Sequence, residues 1–320
     1  MSVIGIDTSN YTTSIAYFDG QDGLNCSKLL PVRQGELGLR QSDAVFAHIK
    51  GLPELSGRLF SNVQIDSITA IGVSTRPRAV EGSYMPCFMV GYSHAKLLSD
   101  MLNVPLVEVS HQQGHVAASL WSAGHLELMD RPHLAWHLSG GTTELLLVEP
   151  DAKNVICTKI GGTTDISAGQ LIDRTGQLLD LPFPSGKHID ALSKEASMKD
   201  VFKVKCSGLE FSLSGVQNKV QQFHAAHEDA AETAAYTLRC VAKAVFLATE
   251  QALKAYPGLP VVFSGGVASN TMLREIICPL KPIFSQPQFS TDNAMGVAVL
   301  AYRCTEESYG TERTIDHTVK

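Results

Sequence analysis

The stretches "SVIGIDTSNYTTSIAYFDG" (residues 2–20) and "HLAWHLSGGTTELLLVEPD" (residues 133–151) decide the fold when they are laid side by side. In the first, Val3, Ile4 and Ile6 predict a strand that runs into a polar turn, Asp7 to Thr13. Ser14 to Phe18 predicts the strand that leaves it, and Asp19-Gly20 closes the unit. In the second, a strand from His133 reaches Ser139-Gly140-Gly141-Thr142-Thr143. A further strand, Glu144 to Val148, follows, and Pro150-Asp151 turns the chain. The same strand, hydroxyl-rich turn and strand occur twice, about half a chain apart, and such internal duplication outranks any local reading.

Working outward, helical patterns near Ser42–Leu59 and Cys87–Leu102 alternate with strands near Ile68–Ser74 and Leu106–Val109. After the second hairpin come helices near Ala168–Leu179 and Asp229–Ala255, the strand of "PVVFSGG", and a last helix after Thr291-Asp292-Asn293. This alternation predicts an α/β protein with largely parallel sheets. Two domains are expected, Met1–Asp130 and Arg131–Ser290, with the final helix (about 291–305) returning to the first. "MDRPHL", Met129 to Leu134, reads as the hinge, and only the tail after Tyr309 reads as loose.

A chain of 320 residues is long enough for two cores. Its net charge of −6 recruits no nucleic acid globally, so any RNA contact needs a local basic patch or a partner. Seven scattered cysteines without a C-x-x-C predict reduced thiols and a cytoplasmic setting. The N-terminus enters an apolar strand without a basic leader, and no apolar run is long enough for a bilayer, so no membrane role is expected.

Two halves that each open on a polar-turn hairpin suggest a nucleotide cleft between them. Turn N–H groups and hydroxyls can meet phosphates without side-chain bulk. "VVFSGGVASN" fits an adenosine side, because Gly265-Gly266 lets backbone approach a flat ring or a ribose. This architecture resembles the duplicated actin-like ATPase and sugar-kinase (ASKHA) superfamily.

"EVSHQQGHVA" (residues 108–117) places His111 and His115 four apart, on one face of a helix that Ser110 can cap. Such a pair can bind one ion or simply sit near a helix start. His133/His137 and His224/His227 show that close spacing is not specific here. Against an H-E-x-x-H peptidase stands Gln112, an amide where that chemistry needs a general base. Asp292 in "FSTDNAMG", beside a helix N-terminus, is the candidate third ligand.

Taken together, "HQQGH", "LSGGTTEL", "AGQLIDRTGQLLDLPFPSG", "LEFSLSGVQN", "SGGVASNTMLR" and "STDNAMG" resemble, in order and spacing, one family. It is the tRNA threonylcarbamoyladenosine synthase family, whose catalytic subunits were formerly described as sialoglycoprotein endopeptidases. The resemblance spans Val3 to Tyr302. It implies the actin-like two-domain fold and transfer of threonylcarbamoyl from an adenylate to the exocyclic amine of a tRNA adenine beside the anticodon. It implies one divalent transition metal, iron or zinc, on His111, His115 and Asp292. Adenylate contacts fall on His137, Leu138, Ser139, Gly140, Gly141, Asp173, Gly186 and Asn270, with Asp173 accepting from ribose hydroxyls. It also implies a small paralogous subunit and an ATPase subunit as partners, alongside tRNA.

The departures are local. The family's first turn, E-T-S-C-D-E, reads Asp7-Thr8-Ser9-Asn10-Tyr11-Thr12, without the two adjacent acids. S-G-G-H-T-Q reads Ser139-Gly140-Gly141-Thr142-Thr143-Glu144. The A-G-P-G-L loop reads "STRPRAVEGS" (residues 74–83), with Arg76 and Arg78 inserted. The donor side is kept and the acceptor side is rewritten, as in a divergent paralogue. Three readings follow. The first is a threonylcarbamoyl-type acyltransferase in which Glu144 or a partner residue moves the proton. The second is an actin-like kinase or ATPase on a small molecule, with Asp7 as base. The third is a non-catalytic nucleotide-binding partner subunit.

Overall fold

The computed structural model describes residues 1–9, 11–31, 39–63 and 67–315, with side chains through residue 306. The chain divides into two compact units. Unit 1 comprises Met1–Arg131, Glu149–Cys157 and Asp292–Lys320; unit 2 comprises Pro132–Val148 and Thr158–Thr291.

Unit 1 is built on a five-stranded sheet of order β3-β2-β1-β4-β5. The strands are β1 (Ser2–Ser9), β2 (Thr12–Phe18), β3 (Gly23–Leu29), β4 (Ile68–Arg76) and β5 (Leu106–Ser110). β1 runs antiparallel to β2 and parallel to β4, and β4 is parallel to β5. Helices α1 (Gln41–Phe60), α2 (Phe88–Leu102) and α3 (His111–Ser122) complete the α/β alternation. On one face, Leu52, Leu55 and Leu59 of α1 and Val90 and Ala95 of α2 bury against Ile4, Ile6 and Ile15. Each such leucine contributes about 1.5–3 kcal/mol by leaving water. The other face carries the C-terminal helix, Met295–Ile315. A Cβ on Gly5 would meet Ala294 O at 2.6 Å, so only a bare strand lets this helix seat.

Unit 2 holds most of a seven-stranded sheet of order β12-β11-β6-β7-β8-β10-β9. Its strands are β6 (His133–Leu138), β7 (Thr143–Asp151), β8 (Asn154–Thr163), β9 (Cys206–Ser207), β10 (Glu210–Phe211), β11 (Val261–Ser264) and β12 (Ile283–Phe284). β6 is antiparallel to β7 and parallel to β11, and β11 is parallel to β12. The run β8-β7-β6-β11-β12 thus repeats the order β3-β2-β1-β4-β5, and the hairpins β1–β2 and β6–β7 occupy corresponding places. Five helices follow: α4 (Ala168–Leu178), α5 (Gly186–Ser193), α6 (Ser214–His227), α7 (Ala230–Ala255) and α8 (Thr271–Ile277). Cys240, Val241, Ala244, Val245 and Ala248 of α7 pack in one core with Trp136 and Phe263.

Several expectations need correction. Asp7, Thr8, Ser9, Thr12 and Thr13 are strand, not turn, and all are buried. Two of their hydroxyls find partners: Thr8 Oγ1 donates to Cys87 O at 2.9 Å, and Thr13 Oγ1 lies 2.8 Å from His48 Nδ1. Asn10 lies outside the described residues. Pro150-Asp151 ends a strand, and the chain turns one residue later, where Ala152 has φ 50°. The last helix begins at Met295, three residues after Asp292. The tail expected to be loose begins inside that helix, and beyond residue 315 it lies outside the described residues.

Candidate functional site

In α3, Ser110 Oγ accepts from Gln113 N at 3.2 Å, while Ser110 N donates to Gln113 Oε1 at 2.8 Å. This reciprocal cap fixes the first helical residue as His111. His111 and His115 therefore stand one turn apart on one face. Their Nε2 atoms are 2.9 Å apart. Asp292 Oδ1 lies 3.2 Å from His115 Nε2 and 3.6 Å from His111 Nε2. A helix crossing brings the aspartate there. A Cβ on Gly296 would stand 1.8 Å from Gly114 O, so the C-terminal helix and α3 touch backbone to backbone just below the histidines. Among the described residues, this is the one group of three metal-ligating side chains whose donor atoms converge, all within 4.8 Å.

A fourth side chain completes the cluster. Asp7, at 1% exposure, accepts from His111 Nδ1 at 2.8 Å through Oδ2. Its Oδ1 accepts from Ser9 N at 2.8 Å. An ionised carboxylate only accepts, so Nδ1 of His111 carries a proton and Nε2 is the atom that faces His115 and Asp292. A carboxylate behind an imidazole ligand is the usual way a metal-binding histidine is oriented. Burial disfavours charge on His111, yet Asp7 and Asp292 outweigh it and raise its pKa to about 10. Burial likewise pushes Asp292 up, but hydrogen bonds and charge from the two histidines hold it well below the ordinary carboxylate range. Asp7 is also lowered, its burial overcome by His111. A buried carboxylate and a half-buried one against two imidazoles thus favour positive charge at Nε2 of His111. A divalent transition ion fits the mixed N/O donor set, and a proton is the substitute without it.

The other close histidine pairs do not converge in this way. His133 is fully buried in β6, while His137 Nδ1 stands 3.4 Å from Ser264 Oγ. His224 Nδ1 lies 3.0 Å from Thr233 Oγ1, and His227 stacks on Phe223 at 4.1 Å.

Unit 2 gathers the remaining candidates at the carboxyl ends of β6 and β11. His137 ends beside Ser264 in the parallel register, and Leu138 O would lie 2.2 Å from a Cβ on Gly265, whose φ is 91°. The turn after β6 is tied by Ser139 N to Thr142 O at 2.8 Å and by Thr142 N to Ser139 Oγ at 3.1 Å. Gly140 O accepts from the α4 cap, Ser167 Oγ, at 2.6 Å. A Cβ on Gly169 would meet Gly140 Cα at 2.4 Å, so the turn rests directly on the α4 N-terminus. On the turn's outer side, a Cβ on Gly140 or Gly141 would meet nothing within 4 Å.

Asp173 on α4 accepts from Ser185 N at 2.8 Å, which places it beside Gly186 at the start of α5; burial raises its pKa. Ile172, Ile189, Val267 and Met272 pack together and draw α4, α5 and the segment before α8 into one cluster. Asn270 is more occupied than a free nucleotide contact would be. Its Oδ1 caps α8 through Leu273 N at 2.9 Å, and its Nδ2 donates to Asp190 Oδ1 at 2.6 Å. Sequence reasoning missed Asp190, which also accepts from Thr271 N and Oγ1. It missed Asp7 as partner of His111 too. The signal was that Asp7 occupies the place of the family's first-turn glutamate.

Where the acid pair is lost, Tyr11 is 38% exposed and Thr12 is buried. Glu144, the candidate proton carrier, is buried at the start of β7 with Lys159 Nζ 3.6 Å away.

The sequence model of the tRNA N6-adenosine threonylcarbamoyltransferase (TsaD) family matches residues 38–299. The chain is 30% identical over 318 residues to the tRNA N6-adenosine threonylcarbamoyltransferase of Carboxydothermus hydrogenoformans, covering 94% of this chain and 91% of that one. It is 32% identical over 322 residues to the protein of that name from Kosmotoga olearia, covering 94% and 93%. Among solved structures, full-length HypF in a phosphate- and nucleotide-bound form superposes with a TM-score of 0.61 at 14% identity, over 95% of this chain and 46% of that one. A ROK family glucokinase from Streptomyces griseus, with glucose and AMPPNP, superposes at 0.53 and 10% identity, over 95% and 100%. These structures share the duplicated actin-like fold. Matched across most of its length by the family model and by relatives of full size, the chain belongs to the tRNA N6-adenosine threonylcarbamoyltransferase family.

Proposed function

We propose that this chain transfers threonylcarbamoyl from its adenylate to the exocyclic amine of a tRNA adenine. The observation that carries the reading is the convergence of His111, His115 and Asp292 with Asp7 behind His111. The two Nε2 atoms and the Asp292 carboxylate hold one divalent ion, iron or zinc. Once bound, that ion polarises the carbonyl under attack as a Lewis acid. Asp7 holds the Nδ1–H of His111 and so turns Nε2 toward His115 and Asp292.

The adenylate end of the donor is assigned to the unit 2 cluster. The open sides of Gly140 and Gly141 admit a phosphate next to the α4 N-terminus, where positive partial charge collects. His137, Leu138 and Ser139 line the same turn. Asp173 keeps one carboxylate oxygen beyond its bond to Ser185 N for a ribose hydroxyl, next to Gly186. Asn270 contributes by holding Asp190 and the α8 start in position. Glu144, at the rewritten start of β7, is the proton acceptor, or a partner residue takes that role.

Binding of tRNA is assigned to an assembly with a small paralogous subunit and an ATPase subunit, because a chain of net charge −6 offers few phosphate contacts alone. The setting is cytoplasmic; among the described residues no helix is long and apolar enough to cross a membrane. The kinase reading is disfavoured because its candidate base, Asp7, is buried against His111.

The test supplies synthetic threonylcarbamoyl-adenylate and a tRNA transcript to the metal-loaded chain, alone and with partner subunits, and follows AMP release and the mass of the tRNA nucleosides. The expected result is AMP release by the chain alone and tRNA modification that needs the partners. Indifference to the adenylate, with ATP hydrolysed instead, would return the case to a kinase.

A further inference from the structure

We propose that Arg76 is an anion-binding residue of the metal site and holds the carboxylate at the amino-acid end of the acyl donor. The proposal rests on the transfer reading above. Arg76 ends β4, where it pairs in register with Ser110, the residue before His111. Its neighbour Pro77 accepts through O from Gln112 N, the residue after His111, at 3.0 Å. The backbone of residues 76–77 therefore flanks His111.

The segment that follows is pinned to the same place at its far end, where the Phe88 ring lies 6.2 Å from the His111 ring. Between these anchors the loop is closed by Arg78 N on Ser83 Oγ at 3.0 Å and by Ser83 N on Val80 O at 3.2 Å. Strand pairing thus fixes the start of the Arg76 side chain next to the metal-binding helix.

Arg76 is half-buried, and its guanidinium has no hydrogen-bond or ion-pair partner among the described residues. A guanidinium without a partner in the protein leaves its donors open to a ligand that brings the counter-charge. A planar guanidinium matches a carboxylate in two parallel hydrogen bonds. The donor's amino-acid end presents a carboxylate beside the carbonyl to be polarised. An RNA phosphate is the weaker candidate, because Arg78, two residues on, is the exposed member of the pair. Where the family loop reads A-G-P-G-L, no guanidinium stands at this place, so this contact is a property of this chain.

Calorimetry on the zinc-loaded full chain would compare N-carbamoyl-L-threonine with its primary amide. Wild type is expected to prefer the carboxylate by roughly tenfold to a hundredfold, the range of a charge-assisted bond. Arg76→Gln should reduce the preference to about twofold or less, and Arg76→Lys should restore part of it, as a point charge would. Unchanged zinc content and thermal midpoint in both variants would exclude misfolding, and a variant that lost either would be replaced by Arg76→Met in the same comparison.

A wild type that transfers threonylcarbamoyl but shows no carboxylate preference overturns this inference and leaves the function standing. Carboxylate preference without transfer keeps the anion site and removes the function. A preference that survives Arg76→Gln, with weakened tRNA binding, gives Arg76 to RNA and also overturns the proposal.

Discussion

His111 Nδ1 and Asp7 Oδ2 meet at 2.8 Å across 104 residues of sequence. One imidazole is thereby turned so that its other nitrogen faces His115 and Asp292. Asp7 is not one of the three ligating side chains, but it determines which nitrogen of His111 faces the other two. In Asp7→Asn the shape persists and the charge is lost, so zinc affinity is expected to fall about tenfold to a hundredfold. Competition with a chromophoric chelator measures it. Affinity equal to wild type would show that His111 needs no orienting anion.

Asp292 reaches the histidines through the Gly296–Gly114 contact rather than through local sequence. The Cβ of Gly296→Ala would stand 1.8 Å from Gly114 O, an impossible separation, so the C-terminal helix must shift. Overpacking of this kind costs roughly 1–3 kcal/mol, and the shift should also weaken metal binding. Urea denaturation and zinc titration of the same sample would show both losses. Full stability with full zinc affinity would mean that the crossing does not govern Asp292.

Gly140→Ala and Gly141→Ala make the opposite prediction for unit 2. No atom lies within 4 Å of either new Cβ, so the unfolding free energy should stay within about 0.5 kcal/mol of wild type. AMP or adenylate affinity should fall, because the methyl occupies the space assigned to phosphate. Binding that is unchanged in both variants would move the nucleotide away from this turn.

The duplicated hairpin was legible because both copies set apolar strand residues on either side of a hydroxyl-rich segment, and β11 was legible as the apolar run of "PVVF". β3 was not: "GLNCSKL" is an edge strand, mostly exposed apart from Cys26, and its polarity hides it. The run Asp7–Thr13 was misread for the opposite reason. Small hydroxyl residues signal turns, but here Thr8, Ser9, Thr12 and Thr13 are buried strand residues, with Thr8 bonded to Cys87 O and Thr13 to His48. His111, His115 and Asp292 could be proposed from motifs. Asp190 could not, and Asp7 only by its place in the first-turn motif, since each acts through a partner that the tertiary fold brings near.

His48 gives the pH prediction, and it lies apart from the metal ligands. It is fully buried on α1, with Nδ1 2.8 Å from Thr13 Oγ1. Burial lowers its pKa below the ordinary 6.5, against the opposing pull of the Asp7 charge. In the unfolded chain the imidazole recovers its ordinary value and takes up a proton more readily than in the fold. Between the two values the unfolded state binds more protons, so stability rises with pH. His48 therefore contributes stability that is fully present above about pH 6.5 and is lost as pH falls through its folded value. His48→Gln keeps a polar contact for Thr13 and removes the titration. Unfolding free energies from urea curves between about pH 5 and pH 7.5 should fall less steeply toward acid in the variant than in wild type. Parallel curves would show that His48 is not held neutral by the fold and that the acid sensitivity arises at other groups.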